Sequence, residues 1–592
     1  MVVLMDGFPE GTPSVADLLL ARAEDQGAAV VAGDDRWTWS EVVAASAARA
    51  GLLRSLVGSD AMLGPESQVG PESQVGRDSQ AAPDRPHVGV LLGNEPEYLF
   101  WLGAAALAGA VVVGINPTRR GEALAGDIRR TDCQILVTDA AGAALVDGLA
   151  TGVAADRLLL IDHRHYAAQV AAHDGVAAAD ITASVGPVPA DLFLLLFTSG
   201  TTGDPKAVRC TQGRLASIAL RSAEAYGFGR SDVAYCTMPL FHGNALMVLW
   251  GPSLVVGATV ALAPRFSASG FLPDVRRYGA TTFTYVGKAL AYVLATEAND
   301  GDRSCTLRRG FGTEASVADH AAFEARFDCV LTEGYGSSEG GAAISRRPDT
   351  PSGALGIPVE DIAVVDPGSA QECPPAEFDA SGALLNGEVA IGEIVNRSGT
   401  GRFEGYYNDP EATAQRIRNG WYWTGDLAYR DAKGNFWFAG RGGDWMRVDS
   451  ENLTAGPIER VLVRFADIAA VAVYPVPDPR SGDQVMAAIE LLPDRTFDPE
   501  LFARFLADQD DLGTKWAPAF LRVTRALPQT ASGKVTKGPL RQDGWWRGED
   551  PVYRASALDR SESLGYEVLE TSDVDALLVE FDRHGRTGLV TR

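Results

Sequence analysis

Short, uniformly apolar runs recur along most of the chain: "HVGVLLG", "AVVVGI", "QILVTD", "RLLLID", "LFLLLF", "TVALA" and "TTFTYVG". Each has strand length and, the threonines of "TTFTYVG" apart, lacks polar alternation, so each is expected to be buried on both faces. Helical patterns lie between them. Strands covered on both sides by helices predict parallel α/β layers, continuing to about residue 365.

Beyond that point the pattern changes. "GEIVNRS" and "GWYWTGDLAYRDAKGNFWFAGR" read as antiparallel strands, with "DAKGN" as a hairpin turn. "GRGGD", Gly440 to Asp444, marks a break in composition. "ADIAAVAVYPVPD", "QVMAAIELLP" and "DPELFARFLADQD" then read as a small α+β unit ending near residue 545. At 592 residues the chain is too long for one core. The expected class is α/β: a large N-terminal domain (1–442) of stacked α/β layers plus a small β-barrel-like piece, then a small mobile α+β C-terminal domain (443–545). Residues 546–592 read as a polar C-terminal extension. The hexapeptide "GPESQV" occurs twice, within residues 64–75, and reads as a flexible insertion.

Acidic residues outnumber basic ones by 77 to 52, a net charge of −25, which repels phosphate backbones and argues against a nucleic-acid partner. Six cysteines (Cys133, Cys210, Cys236, Cys305, Cys329 and Cys373) lie far apart with no CxxC pair. They read as reduced thiols of a cytoplasmic protein, not as a disulfide frame or zinc site. "MVVLMDGFPEG" has no signal-peptide character. Tyr98 to Ile115 carries no charge over 18 residues, the lower limit for a membrane span. It divides better into a buried helix over Leu99–Leu107, a cap at Gly109 and a strand, so at most peripheral membrane contact is expected.

One loop is unlike the rest. "LFTSGTTGDPKAV", Leu196 to Val208, follows an apolar strand with hydroxyls, glycines and a lysine. Glycines let a backbone approach a ligand, hydroxyls donate to oxygens and a lysine brings mobile charge. The set suits a polyphosphate; an ordinary polar turn has the same composition. It is not the GxxxxGK[ST] loop, because Asp204 and Pro205 separate Gly203 from Lys206.

Three further segments follow in order: "EGYGSSEGG" (Glu333 to Gly341), "YWTGDLAYRDAKGNFWFAGR" (Tyr422 to Arg441) and "LPQTASGKVTKGPLR" (Leu527 to Arg541). With the loop, they make the chain resemble the adenylate-forming superfamily from about Leu18 to Arg541. "MPLFHGNAL", "FSASGFLPDVRRYGATTFTYVG", "FEARFDCVLTEGYGSSEGG" and "GDWMRVDSENLTAGPIE" resemble the actinobacterial, fatty-acid-transport-protein-like acyl-CoA synthetases within it.

The resemblance implies a two-step reaction. ATP and a carboxylic acid give acyl-AMP, and coenzyme A then takes the acyl group; the acid is a fatty acid or a sterol side-chain acid. It also implies roles. Thr198, Ser199, Gly200, Thr201, Thr202, Gly203 and Lys206 would hold the β- and γ-phosphates. Thr201 and Glu339 would hold magnesium. Tyr335 and Gly336 would face adenine across from Gly312, Thr313 and Glu314, with Ser338 near the acyl-AMP. Asp426 and Arg441 would hold the ribose, and His242 the carboxylate end of the acyl pocket. Lys534 would be the catalytic lysine, carried by a small domain that swings about Gly442–Gly443. Ser450, in "DSEN", replaces a glycine of the relatives, which leaves open an acyl-AMP ligase that loads a carrier protein. The transport-protein likeness leaves open a lipid-uptake protein.

Overall fold

The computed structural model describes residues 11–58, 85–198, 205–347, 349–358, 360–379, 384–441, 445–448, 451–480, 482–509, 512, 516–530, 534–556 and 564–590. The repeated hexapeptide, Gly442–Gly443 and Ser450 lie outside them.

The apolar runs become central strands. His87–Leu91, Val111–Gly114, Ile135–Thr138, Leu158–Leu160 and Leu192–Thr198 pair in parallel, and Lys206–Thr211 returns antiparallel to Leu192–Thr198. A second sheet sets Ala28–Ala32, Thr259–Leu262, Val233–Cys236, Thr282–Val286, Arg309–Thr313 and Val330–Tyr335 side by side in parallel, with short antiparallel strands at both edges. Parallel strands expose apolar side chains on both faces, so helices must cover them. The helices Trp39–Val57, Pro96–Ala108 and Gln212–Ala225 do so. They share one buried cluster with Val88, Val112 and Phe193 of the first sheet and Val30, Val260 and Leu262 of the second.

Pro96–Ala108 resolves the membrane question for its segment. Every side chain from Tyr98 to Ala108 is buried, as a helix apolar all round requires when it lies inside a core. Gly109 ends it at φ 65°, in the left-handed region that a glycine adopts without strain, and Val111–Gly114 follows as a strand. Among the described residues no helix is long and apolar enough to cross a membrane.

The β-rich piece is an antiparallel sheet ordered Ile362–Val365, Gly392–Asn396, Trp421–Arg430, Ile417–Arg418, with Phe436–Arg441 also paired to Trp421–Arg430. The register shifts between Glu393 and Val395 and between Leu427 and Ala428, and such bulges bend a sheet. The turn is the expected one: Asp431 accepts from the backbone N–H groups of Lys433 and Asn435, each at 2.9 Å.

The small C-terminal domain is built on Ile468–Pro477, Asp483–Leu491 and Phe520–Thr524, with side chains alternating between two cores. Val473 and Val485 face one core; Tyr474 and Met486 face the other. Residues beyond 545 join it. Val552–Ala555 and Tyr566–Val568 extend the same sheet, and the helix Thr571–Arg583 buries Leu577 and Phe581. Phe581 lies 5.9 Å from Trp545, which stacks on Phe520. The segment reads as polar because the helix buries a single stripe, the two strands are short and Tyr566–Val568 is the sheet edge.

Phe581 is fully buried. Phe581→Ala should therefore cost about 3–5 kcal/mol, the usual range for emptying such a site. Denaturant unfolding followed by tryptophan fluorescence, to which Trp545 contributes, checks it. A change below 1 kcal/mol would mean that the helix is dispensable to the domain.

Candidate active site

The parallel strands end at one cleft. Thr198, Val286, Thr313 and Tyr335 are the last residues of four strands from the two large sheets, and all line it. Ligands in open α/β sheets sit at such carboxyl ends. The cleft has a volume of about 2500 Å³. It also brings together Lys206, His242, Gly312, Glu314, Gly336, Ser338, Glu339, Asp426 and Lys534.

Thr198 and Lys206 pair as the last rung of their hairpin. The residues between them, including Ser199, Gly200, Thr201, Thr202 and Gly203, lie outside the described ones. Glu339 is buried beneath this hairpin. Its Oε1 accepts from the Thr198 hydroxyl at 3.2 Å and from the Tyr406 hydroxyl at 3.1 Å. The Lys206 ammonium lies 5.4 Å from the centroid of the Tyr406 ring, a cation–π distance. Arg416 donates to the Tyr406 oxygen at 3.3 Å. Burial opposes the Arg416 charge, but Tyr406 and Glu339 outweigh it and hold its pKa above the ordinary value. Tyr406 and Arg416 escaped the sequence reading because tertiary pairing alone brings them in: the Tyr407 N–H donates to the Ala207 carbonyl at 2.8 Å.

The second group faces across the cleft. The Tyr335 hydroxyl donates to Asp426 Oδ2 at 2.7 Å. Burial first, then the Asp426 charge, raise the phenol well above its ordinary pKa, so it stays a donor. The Asp426 N–H is held by the Thr424 hydroxyl at 3.0 Å, and the backbone of Arg441 pairs directly opposite Asp426. Gly312 is required where it stands, since a Cβ there would lie 2.4 Å from the Tyr285 ring. Ser338 borders the turn at Gly243, and its carbonyl accepts from Arg214.

Lys534 reaches the same cleft from the small domain. Its Nζ lies 2.8 Å from Glu314 Oε1. Glu314 holds a left-handed φ of 69°, uncommon for a side-chain-bearing residue, in a turn where Glu333 accepts from the Ala315 N–H at 2.9 Å. His242 precedes the turn Gly243–Ala245, which continues through a wide π-type turn over Leu246–Trp250. Such turns recur at functional sites. Burial, and secondly the charge of Lys534, push the His242 imidazole down to about 4. It is therefore neutral at physiological pH.

Comparison with known proteins accords with this arrangement. The AMP-binding enzyme family matches residues 81–407, and the AMP-binding enzyme C-terminal domain matches residues 457–534. The chain belongs to the AMP-binding enzyme family. Over 575 residues it is 52% identical to the steroid-22-oyl-CoA synthetase of Rhodococcus jostii, covering 97% of this chain and 98% of that one. It is 44% identical to the medium/long-chain-fatty-acid–CoA ligase FadD17 of Mycobacterium tuberculosis, over 90% of this chain and 97% of that one. Among solved structures, ATP-bound MatB from Rhodopseudomonas palustris superposes with a TM-score of 0.72 at 23% identity, covering 89% of this chain and 98% of that one, a likeness of fold.

The His242 shift has a consequence with pH. Between its ordinary value of 6.5 and about 4, the unfolded chain binds a proton at this ring that the folded chain does not. Stability contributed by the neutral ring is full above that window and is lost as pH falls through it. Ring-proton NMR should show His242 titrating well below 6.5, and Lys534→Met should move its midpoint upward. A midpoint near 6.5 in the unaltered protein would contradict the buried, Lys534-facing placement.

Proposed function

We propose that this chain is an ATP-dependent acyl-CoA synthetase acting on a bulky apolar carboxylic acid. The observation that carries the reading is the convergence of Thr198, Lys206, Tyr335, Glu339 and Asp426 with Lys534, from the other domain, on one cleft. In the first step a carboxylate oxygen attacks the α-phosphorus of ATP, the bond to the bridging oxygen breaks, and pyrophosphate leaves. In the second the thiol sulfur of coenzyme A attacks the acyl carbonyl, AMP leaves, and the thiol proton passes to solvent.

Both reactants of the first step are anions, so the protein's task is alignment and charge neutralisation. Lys206, with Ser199, Gly200, Thr202 and Gly203, is assigned to the β- and γ-phosphates. Tyr335, Gly336, Gly312, Thr313 and Glu314 are assigned to the adenine, and Asp426 and Arg441 to the ribose. Thr201 and Glu339 are assigned to magnesium, since carboxylate and hydroxyl oxygens are the donors a hard cation takes. Bound there, the ion offsets phosphate charge. The neutral His242 is assigned to donate an N–H to the acyl carboxylate, and Ser338 is assigned to the acyl-AMP.

Lys534 is the group assigned to charge building between carboxylate and α-phosphate. Its partner Glu314 is half exposed, at 51%, and Lys534 itself is 37% exposed. Ion pairs that wet are worth little, so the ammonium can leave Glu314 for an incoming substrate. The acid is proposed to be a steroid side-chain acid, by likeness to the steroid-22-oyl-CoA synthetase, with a medium- or long-chain fatty acid second. Tyr226, Met238, Phe241, Met247, Val248 and Phe311 give the cleft an apolar wall suited to either, with Tyr226 and Phe311 stacked at 4.2 Å.

Pyrophosphate release should be fastest with steroid C22 acids, and thioester should form when free coenzyme A is added. Release with no acid of either class would refute the reading; adenylate without thioester would point to a carrier protein as acceptor. Lys534→Ala should slow adenylate formation roughly 10²- to 10⁴-fold, about 3–5 kcal/mol in transition-state terms. Thioester formation from supplied acyl-AMP and coenzyme A should stay near the unaltered rate. Equal loss in both steps would make Lys534 structural.

A further inference from the structure

A second lysine joins the domains, and it is buried. Lys288 is near the start of the helix Gly287–Leu294 in the large domain; Glu490 lies in the strand Asp483–Leu491 of the small one. Lys288 Nζ stands 2.6 Å from Glu490 Oε2, with the side chains only 8% and 2% exposed. The Tyr292 hydroxyl, one turn along the same helix, donates to Glu490 Oε1. The remaining contact is to the small domain itself: the Leu527 N–H donates to Glu490 Oε2 at 2.7 Å.

Leu527 opens the segment that ends at Lys534. The described residues on either side of 531–533 are tied to one another. The Thr530 N–H donates to the Lys534 carbonyl at 2.7 Å, the Thr536 N–H donates to the Pro528 carbonyl at 2.8 Å, and Gln529 bridges Val535. Glu490 thus binds the base of the Lys534 hairpin with one oxygen and the large domain with both.

We propose that Lys288, Tyr292 and Glu490 form an interdomain latch that positions Lys534 in the cleft for adenylation and opens for the thiol step. The inference rests on the adenylating role proposed above. A buried carboxylate deprived of its cation is strongly unfavourable, so the docked arrangement needs Lys288. When the domains part, both charges regain water, so the pair adds little net barrier to opening while penalising other docked orientations. The three are positioning residues: the contacts described join them to one another and to the hairpin, not to the reacting atoms.

The test separates the half-reactions. Lys288→Met keeps the length of the side chain and removes its charge. It should slow adenylate formation about 10- to 50-fold in single turnover, leave thioester formation from supplied acyl-AMP and coenzyme A unchanged or up to about twofold faster, and leave Tm nearly unmoved. Should this variant not fold, Tyr292→Phe is read by the same ratio, with an expected two- to fivefold selective loss. Equal loss in both half-reactions, or no change in either, overturns the latch. A second readout needs no turnover. Spin labels at exposed Val188 and Val568, in a Cys305→Ser background, should give one narrow distance distribution that broadens in Lys288→Met. An unchanged distribution also overturns the proposal. If the unaltered protein released no pyrophosphate with any acid, the proposed function would fail while this distance measurement still judged the latch.

Discussion

Parallel strands buried on both faces leave only their ends free. That constraint decides where chemistry can occur in this chain. Helices from Trp39–Val57 to Gln212–Ala225 cover apolar faces of the two large sheets. What remains open is the carboxyl edge, where Thr198, Thr313 and Tyr335 finish their strands. Loops leaving that edge carry the polar residues, and their positions are set by strand register rather than by the loops themselves. Gly312 and Glu333 sit opposite one another because the strands Arg309–Thr313 and Val330–Tyr335 pair in parallel. The turn at Glu314 then closes on Glu333.

The second large constraint is charge. The chain is acidic overall, yet the cleft must accept anions. It does so with cations whose present partners differ in how easily they let go. Lys206 lies against the face of an aromatic ring, Arg416 against a phenol oxygen, and Lys534 against a half-exposed carboxylate. Lys206 and Lys534 keep partial solvent exposure there, whereas Arg416 also donates to the Trp423 and Thr424 carbonyls and is the most firmly held of the three. Lys288 is the opposite case: dry, paired, and directed at the other domain. The distinction between a lysine offered to a ligand and a lysine that joins two bodies is read from burial, since both pairs have nearly the same length, 2.8 and 2.6 Å.

Much of this was legible in the sequence. The apolar runs announced central strands because burial on both faces leaves no alternation to hide, and "DAKGN" announced its turn by the local chemistry of Asp431. Thr198, Lys206, Tyr335, Glu339, Asp426 and Lys534, which the fold brings to one cleft, came from four short motifs in order. Three things were not legible. Residues 546–592 read as polar because two short strands, one of them at the sheet edge, and a one-sided helix need few apolar positions. Tyr406 and Arg416 carry no motif and reach Glu339 through a long-range backbone pairing. Glu490 reads as one acid at the end of the apolar run Val485–Ile489; its large-domain partners lie about two hundred residues away, beyond the reach of any local pattern. A sequence displays periodicity and motifs locally, whereas a contact between domains is a property of the docked surfaces.

Under the proposed latch, the two lysine pairs divide precision of docking from ease of opening. Precision needs an interaction that is intolerant of error, which a buried charge pair supplies, because a small displacement strands a charge without water. Mobility needs the interaction to be small in net free energy, which the same pair also supplies, because hydration repays most of what separation removes. An apolar interface of similar extent would add its area to the cost of opening and would tolerate sliding. Placing the exacting contact at the base of the Lys534 hairpin, and the lenient Lys534–Glu314 contact at its tip, divides the two requirements. The base fixes where the hairpin lies, and the half-exposed tip leaves the ammonium free to exchange its partner, as the proposed role requires.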